Sequence, residues 1–188
     1  TDQGLTDCSP ISDGAACMIL AAAEVADNFT DEVVRIRASA QTSAPPPATW
    51  NSDLTSLPAV QAAARQAYDM AGVLPSDIDF AEVHDCFTSA EIIGIEDLGF
   101  FEPGKGAFAA ADGQTSRQSR RPINASGGLK AKGHPVGATG LAQLQEVWHQ
   151  LRGSAGDRQI SHQDLRLGLT HNVGGTGGTC IIHILERA

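Results

Sequence analysis

Three short stretches hold most of the side chains in this sequence that could do chemistry. The run Gly127-Gly128-Leu129-Lys130-Ala131-Lys132-Gly133-His134-Pro135-Val136-Gly137-Ala138-Thr139-Gly140 places one histidine among glycines, just before a stretch that reads as a helix. Glycine lets backbone approach a ligand closely, and Pro135 fixes φ beside the imidazole, so the ring is aimed rather than loose. His84-Asp85-Cys86-Phe87 adds a second histidine and a thiol, and Asn172-Val173-Gly174-Gly175 adds a second glycine-rich segment. A cysteine and two histidines brought together suit proton transfer and thioester chemistry, because a neighbouring imidazolium lowers a thiol's pKa towards neutrality. Glycine-rich backbone supplies N–H donors for a developing oxyanion. Cys8, Cys17, Cys86 and Cys180 are widely spaced and match no metal-ligand pattern, so no metal is expected.

These stretches need a scaffold, and the periodicity implies strands alternating with helices. Ala15–Ala26 reads as a buried strand and then a short helix, with Cys17 buried and inert in the apolar run. Residues 33–40 read as a strand, and Ser43–Trp50, with Pro45-Pro46-Pro47, as an extended linker. Residues 57–71 form an amphipathic helix with Pro58 in its first turn, ended by Gly72 and followed by a turn at Pro75-Ser76-Asp77. A short strand over 78–83 leads into His84. Thr88 then caps a helix to about Leu98, with Glu91 as its capping-box partner. Residues 99–119 read as a long loop suited to a lid or binding role. Residues 141–151 form a helix with Trp148 on its apolar side, stopped by Gly153. Strands at 165–170 and 179–185 flank the Asn172–Gly178 segment and bury Cys180. The alternation implies an α/β sheet covered by helices, with the three stretches gathered at one end of the strands.

The 188 residues suffice for one domain with a real core, or one and a fraction. A net charge of −9 argues against nucleic acid or an anionic membrane as partner. Arg117, Arg120, Arg121, Lys130 and Lys132 crowd near the glycine-rich run and fit either an anionic small molecule or a solvated face. With no signal peptide and no apolar run near ~18 residues, a cytoplasmic chain is expected. Thr1, rather than Met, at the start hints at a processed or partial polypeptide.

In Ser12-Asp13-Gly14-Ala15-Ala16, His84-Asp85-Cys86-Phe87, Gly127–Gly140 and His171-Asn172-Val173-Gly174-Gly175, taken in that order, the chain resembles the C-terminal half of the thiolase superfamily. The likeness is to sterol-carrier-protein-type thiolases and archaeal acetoacetyl-CoA thiolases, which carry His-Asp-Cys-Phe where other thiolases have Asn-Glu-Ala-Phe. The resemblance implies a βαβαβαββ mixed sheet covered by helices over residues 33–188. Residues 1–32 would be the last strand and helix of the N-terminal domain. It implies Claisen condensation or its reverse on a coenzyme A thioester, with no covalently bound cofactor and with assembly as a dimer or tetramer. By motif, His134 resembles the histidine that activates the nucleophile, and His84 a residue that helps hold an oxyanion. Cys86 resembles the acid/base of this subgroup, because other thiolases place that cysteine where this chain has Asn172. Gly174 would lend a backbone N–H to the second oxyanion site.

On residue type alone, Cys86 reads equally as a small buried side chain, His84 as a strand-end histidine bonded to backbone, and Gly174–Gly178 as a tight turn. Asp85 reads as a structural acceptor. His149, His162, His171 and His183 read as surface or satisfied core residues. No stretch matches the family's nucleophilic-cysteine segment. The chain is therefore expected to lack activity alone and to need the N-terminal half or a partner chain. The apolar run at residues 15–20 would then seek a partner edge. Two other functions compete. One is a thiolase-fold steroid side-chain retro-aldolase with an OB-fold partner, which would need catalytic tyrosines, whereas Tyr68 is the only tyrosine. The other is a silent acyl-CoA-binding or scaffold subunit.

Overall fold

The computed structural model describes residues 4–45 and 54–188. Its centre is a four-stranded mixed sheet in the order β1-β4-β3-β2, built from β1 (Val34–Ser43), β2 (Phe80–Glu82), β3 (Leu167–Gly174) and β4 (Thr179–Arg187). β4 runs antiparallel to both β1 and β3, and β2 runs parallel to β3. The chain order is α1 (Ala23–Ala26), β1, α2 (Pro58–Ala71), β2, α3 (Thr88–Asp97), α4 (Gly106–Ala111), α5 (Gly128–Lys132), α6 (Thr139–Leu151), β3 and β4. The implied βαβαβαββ pattern is recognisable, with one strand reduced to a single parallel bridge between Ile123 and Ala81. There the Ala81 N–H donates to the Pro122 carbonyl at 3.0 Å, and the Asn124 N–H donates to the Ala81 carbonyl at 2.8 Å.

Each face of the sheet has its own core. On one face α2 presents Val60, Ala63, Ala64 and Ala67 to Ala38, Ala40, Leu169, Ile182 and Ile184. Alanine combines the highest helix propensity with a small side chain, so α2 can lie close to the strands. Pro58 opens the helix, and Gly72, at φ 67°, ends it. Asp97 at the end of α3 accepts the Leu57 N–H at 2.6 Å and the Ser56 hydroxyl at 2.8 Å, tying down the start of α2. On the other face, Leu144, Val147 and Leu151 of α6 meet Phe80, Leu165 and Leu185.

Several expectations need correction. No strand or bridge forms over residues 15–20. Ile19 and Leu20 are 94% and 72% exposed, and Cys17 is exposed rather than buried, because a strand needs a neighbour's backbone donors and none among the described residues lies alongside. Residues 99–119 are not one loop: an alanine-rich turn becomes α4, and Glu96 accepts the N–H of Gly106 at its start at 2.7 Å and that of Gly104 just before it at 2.8 Å. The capping box of α3 is absent. Phe87 is the N-cap, the Thr88 hydroxyl donates to Asp7 at 3.1 Å, and Glu91 pairs with Lys130 at 3.1 Å. Trp148 is half-buried with the Arg152 guanidinium 4.3 Å above its ring, so it lies beside the apolar stripe and not within it. β3 continues through Asn172, Val173 and Gly174, which therefore stand on a strand rather than in a loop. Of the expected linker, Ser43 closes β1, and residues 46–50 lie outside the described residues.

Candidate active site

The carboxyl ends of β2 and β3 lie side by side, and the chain leaving β2 passes through Val83, His84, Asp85 and Cys86. Four bonds set this turn. The Val83 N–H donates to Asn124 Oδ1 at 2.7 Å, and the His84 N–H donates to His171 Nδ1 at 3.3 Å. The Asp85 carboxylate accepts the N–H groups of Leu129 and Lys130 at 2.7 and 3.4 Å. Asp85 is thus the structural acceptor its position suggested, and it fastens the His-Asp-Cys-Phe turn to the glycine-rich run. The fastening requires glycine at 128: φ is +66°, and a Cβ there would sit 2.2 Å from the carboxylate. Gly133, at φ +88°, has Ser12 Oγ 2.1 Å from where a Cβ would be, and its turn delivers His134.

His134 Nδ1 lies 2.7 Å from the Thr139 hydroxyl, whose oxygen is also 3.1 Å from the Pro135 carbonyl. A hydroxyl can donate or accept, and here it anchors the His134 ring through Nδ1. The His84 and His134 rings meet edge to face, with centroids 4.9 Å apart. Burial, then the neighbouring His134, lowers the His84 pKa to about 4, so His84 is neutral at neutral pH. Cys86 is not activated by an imidazolium, as first expected. Burial chiefly, and also Asp85, raises its pKa, against backbone hydrogen bonds that lower it. The resting group is a thiol.

All five residues singled out from the sequence, His84, Cys86, His134, Asn172 and Gly174, line one cavity of about 680 Å³. Gly174 has nothing within 4 Å of where a Cβ would lie, so its backbone borders open space. The Asn172 amide nitrogen lies 3.3 Å from His84 Nδ1 and 3.0 Å from Gln143 Oε1, and the Gln143 amide nitrogen lies 3.1 and 3.4 Å from the His171 and Glu82 carbonyls. Leu57, Phe87 and Ile93 form an apolar side. Ser9 donates its N–H to the Cys86 carbonyl at 2.9 Å, so the amino-terminal segment borders the same cavity.

Sequence reasoning missed Thr139, Gln143 and His171. Gln143 carried a signal: with Glu146 and Gln150 it places polar groups on the stripe that also carries Leu144, Val147 and Leu151, and all are buried. His171 is 1% exposed, its pKa lowered to about 3 by burial and then by His84. Its Nε2 has no hydrogen-bond partner among the described residues, so it is a core histidine only half satisfied. His149, His162 and His183 bond to Ser154, Ser119 and Thr170, away from the cavity.

The expected cationic cluster does not face the site. Arg121 donates to the carbonyls of Pro75, Ile78 and Phe100, Arg117 donates to Asp157, and Lys132 pairs with buried Glu82 at 3.5 Å. Tyr68 is buried, its hydroxyl donating to the Leu98 carbonyl at 2.8 Å. Among the described residues no group of His, Cys, Asp and Glu could hold a metal ion, and no helix is long and apolar enough to cross a membrane.

Residues 40–187 match the family model described as "Thiolase C-terminal domain-like". An acetyl-CoA acetyltransferase of Methanothermobacter thermautotrophicus is 52% identical over 97% of this chain and 47% of its own length. Sterol carrier protein 2 of Oryctolagus cuniculus is 39% identical over 95% of this chain and 33% of its own length. The solved Ltp2-ChsH2(DUF35) aldolase superposes with a TM-score of 0.76 at 27% identity, covering 88% of this chain and 42% of that one. The chain spans about half the length, or less, of these relatives.

Proposed function

Because the chain belongs to the thiolase C-terminal domain-like family, we propose that it supplies the acid–base wall of an acyl-CoA acyltransferase site, with the acyl-accepting nucleophile on polypeptide outside these 188 residues. The observation that carries this reading is the convergence of Cys86, His84 and His134 on one cavity with an apolar side. In the first half-reaction His134 Nε2 takes the proton of the incoming nucleophile as it attacks the acyl-CoA carbonyl. The departing coenzyme A thiolate takes the Cys86 proton, which leaves coenzyme A as the thiol and Cys86 as the thiolate. A raised thiol pKa suits this order, since Cys86 acts first as an acid. In the second half-reaction the Cys86 thiolate removes an α-proton from a second acyl-CoA, and the carbanion attacks the enzyme-bound acyl group. The nucleophile leaves and regains its proton from His134. His84 and the backbone at Gly174 border the positions where negative charge builds on the thioester oxygens.

Tyr68 has no access to the cavity, which favours a thiolase over the aldolase reading that the structural neighbour raises. Oligomeric state follows the family reading: an assembly of two or four subunits. The test is peptide mass mapping of the complete enzyme after incubation with acetyl-CoA. The acetyl group is expected on a residue outside this chain, with Cys8, Cys17, Cys86 and Cys180 unmodified. An acetyl group on Cys86 would make it the nucleophile and overturn the assignment.

A further inference from the structure

Gln143 lies fully buried on α6, and its orientation can be settled by donor and acceptor logic alone. Its amide nitrogen faces two backbone carbonyl oxygens, those of His171 at 3.1 Å and Glu82 at 3.4 Å. Carbonyl oxygens only accept, so the flipped amide would set its own oxygen against two others in a buried site. Oε1 must therefore face Asn172, 3.0 Å away, and there it can only receive an N–H. Asn172 is obliged to present its amide nitrogen, which has two hydrogens. The second points at His84 Nδ1, 3.3 Å away. A ring nitrogen that receives a hydrogen bond carries no proton, so the proton of neutral His84 resides on Nε2.

His134 has a support of its own, the Thr139 hydroxyl 2.7 Å from its Nδ1. Two histidines whose centroids lie 4.9 Å apart are thus held separately, one through Gln143 and Asn172, the other through Thr139. Gln143 bridges the end of β2, at Glu82, to the middle of β3, at His171, so the relative placement of those strands reaches the ring through one amide.

We propose that Gln143 is a positioning residue which, acting through Asn172, holds His84 as the Nε2–H tautomer, so that His84 offers a donor to the thioester oxygen. The assignment rests on the acyltransferase reading for its purpose. The tautomer itself is a property of the chain.

The test is NMR of the complete enzyme labelled with 15N in its histidine rings, at neutral pH. The His84 signals are assigned by their loss in His84→Asn. The wild-type protein should show His84 protonated at Nε2 and bare at Nδ1. Asn172→Asp presents an oxygen that accepts from Nδ1–H and should move the proton to Nδ1. Gln143→Met removes both of the amide's constraints, frees Asn172 to rotate and should give a mixture of tautomers. In both variants kcat for condensation should fall, by about 10²-fold for Asn172→Asp as for loss of one oxyanion donor, with KM for acetyl-CoA little changed. A merely structural Gln143 would lower folded yield without moving the tautomer.

The proposal is overturned if wild-type His84 carries its proton on Nδ1, or if both folded variants leave the proton on Nε2. Should either variant fail to fold, Asn172→Ala, which removes the donor to Nδ1, takes its place: a mixture of tautomers is expected, and a proton still held wholly on Nε2 overturns the proposal. If His84 is the Nε2–H tautomer but the complete enzyme performs no acyl-CoA condensation, the functional reading fails and the tautomer assignment stands.

Discussion

Around the ends of β2 and β3, the polar groups of Asp85, Asn172, Gln143 and His134 bond to partners within the chain, and the side chains beneath them are buried. Along residues 11–29 the same chain exposes Ile11, Ile19, Leu20 and Phe29 at 104, 94, 72 and 77%, next to a helix of only four residues. The first region is held ready by its own contacts. The second has apolar surface that nothing in the described residues covers. A wall of acid–base groups can be completed locally, because each group needs only one or two partners. Enclosing a substrate and burying an apolar strip both need surface from elsewhere, in keeping with a chain that spans about half of its relatives.

The contrast is open to direct challenge. The largest effect should come from the finished side: Leu169→Ala, at a fully buried position on β3, should cost about 2–5 kcal/mol in urea unfolding. A loss below about 1 kcal/mol would mean that the β3 core is looser than described. Next comes acid. His84 and His171 protonate near their ordinary 6.5 when unfolded, but only at about 4 and about 3 when folded. As pH falls through 6.5 the unfolded chain binds protons first, so stability fully present above 6.5 is lost on the way down to about 4. Between pH 7 and 5 the loss is about 2 kcal/mol per histidine. Glu82, Glu91 and Asp97, raised by burial, favour the folded state at lower pH and oppose this slope. The clean readout is therefore His84→Asn, which should flatten the pH 7-to-5 dependence by about 2 kcal/mol. An unchanged slope would mean that His84 is not held neutral by burial. The smallest effect belongs to the strip: Ile19→Ala in this chain should change stability by under about 0.5 kcal/mol. If it cost as much as Leu169→Ala, the strip would be part of the core and the contrast would dissolve.

What could be read from the residues divides along the same line. α2 was legible because a fourteen-residue amphipathic run with proline at one end and glycine at the other carries its own start and stop signals. The meeting of His84, Cys86, His134, Asn172 and Gly174 was legible through motif order. Pattern alone did not reveal whether the apolar residues 15–20 would find a neighbouring strand, because pairing is a long-range event. Nor did it reveal that Glu96 would nucleate α4 across the loop, or that Thr88 and Glu91 would leave their capping box for Asp7 and Lys130. Gln143 was hidden for a related reason. A polar residue on an apolar helix stripe announces a buried partner without saying which one, and the partner lay on a strand 29 residues away.

The measurement that bears most directly on the acid–base wall separates the two half-reactions in the complete enzyme carrying Cys86→Ala. Acyl loading is followed by mass and condensation by product formation. The expected result is an enzyme that still takes up an acetyl group from acetyl-CoA but condenses about 10²–10⁴-fold more slowly, as for loss of a general acid–base group. Condensation at the wild-type rate would contradict the account, and the proton would have to be moved by another residue.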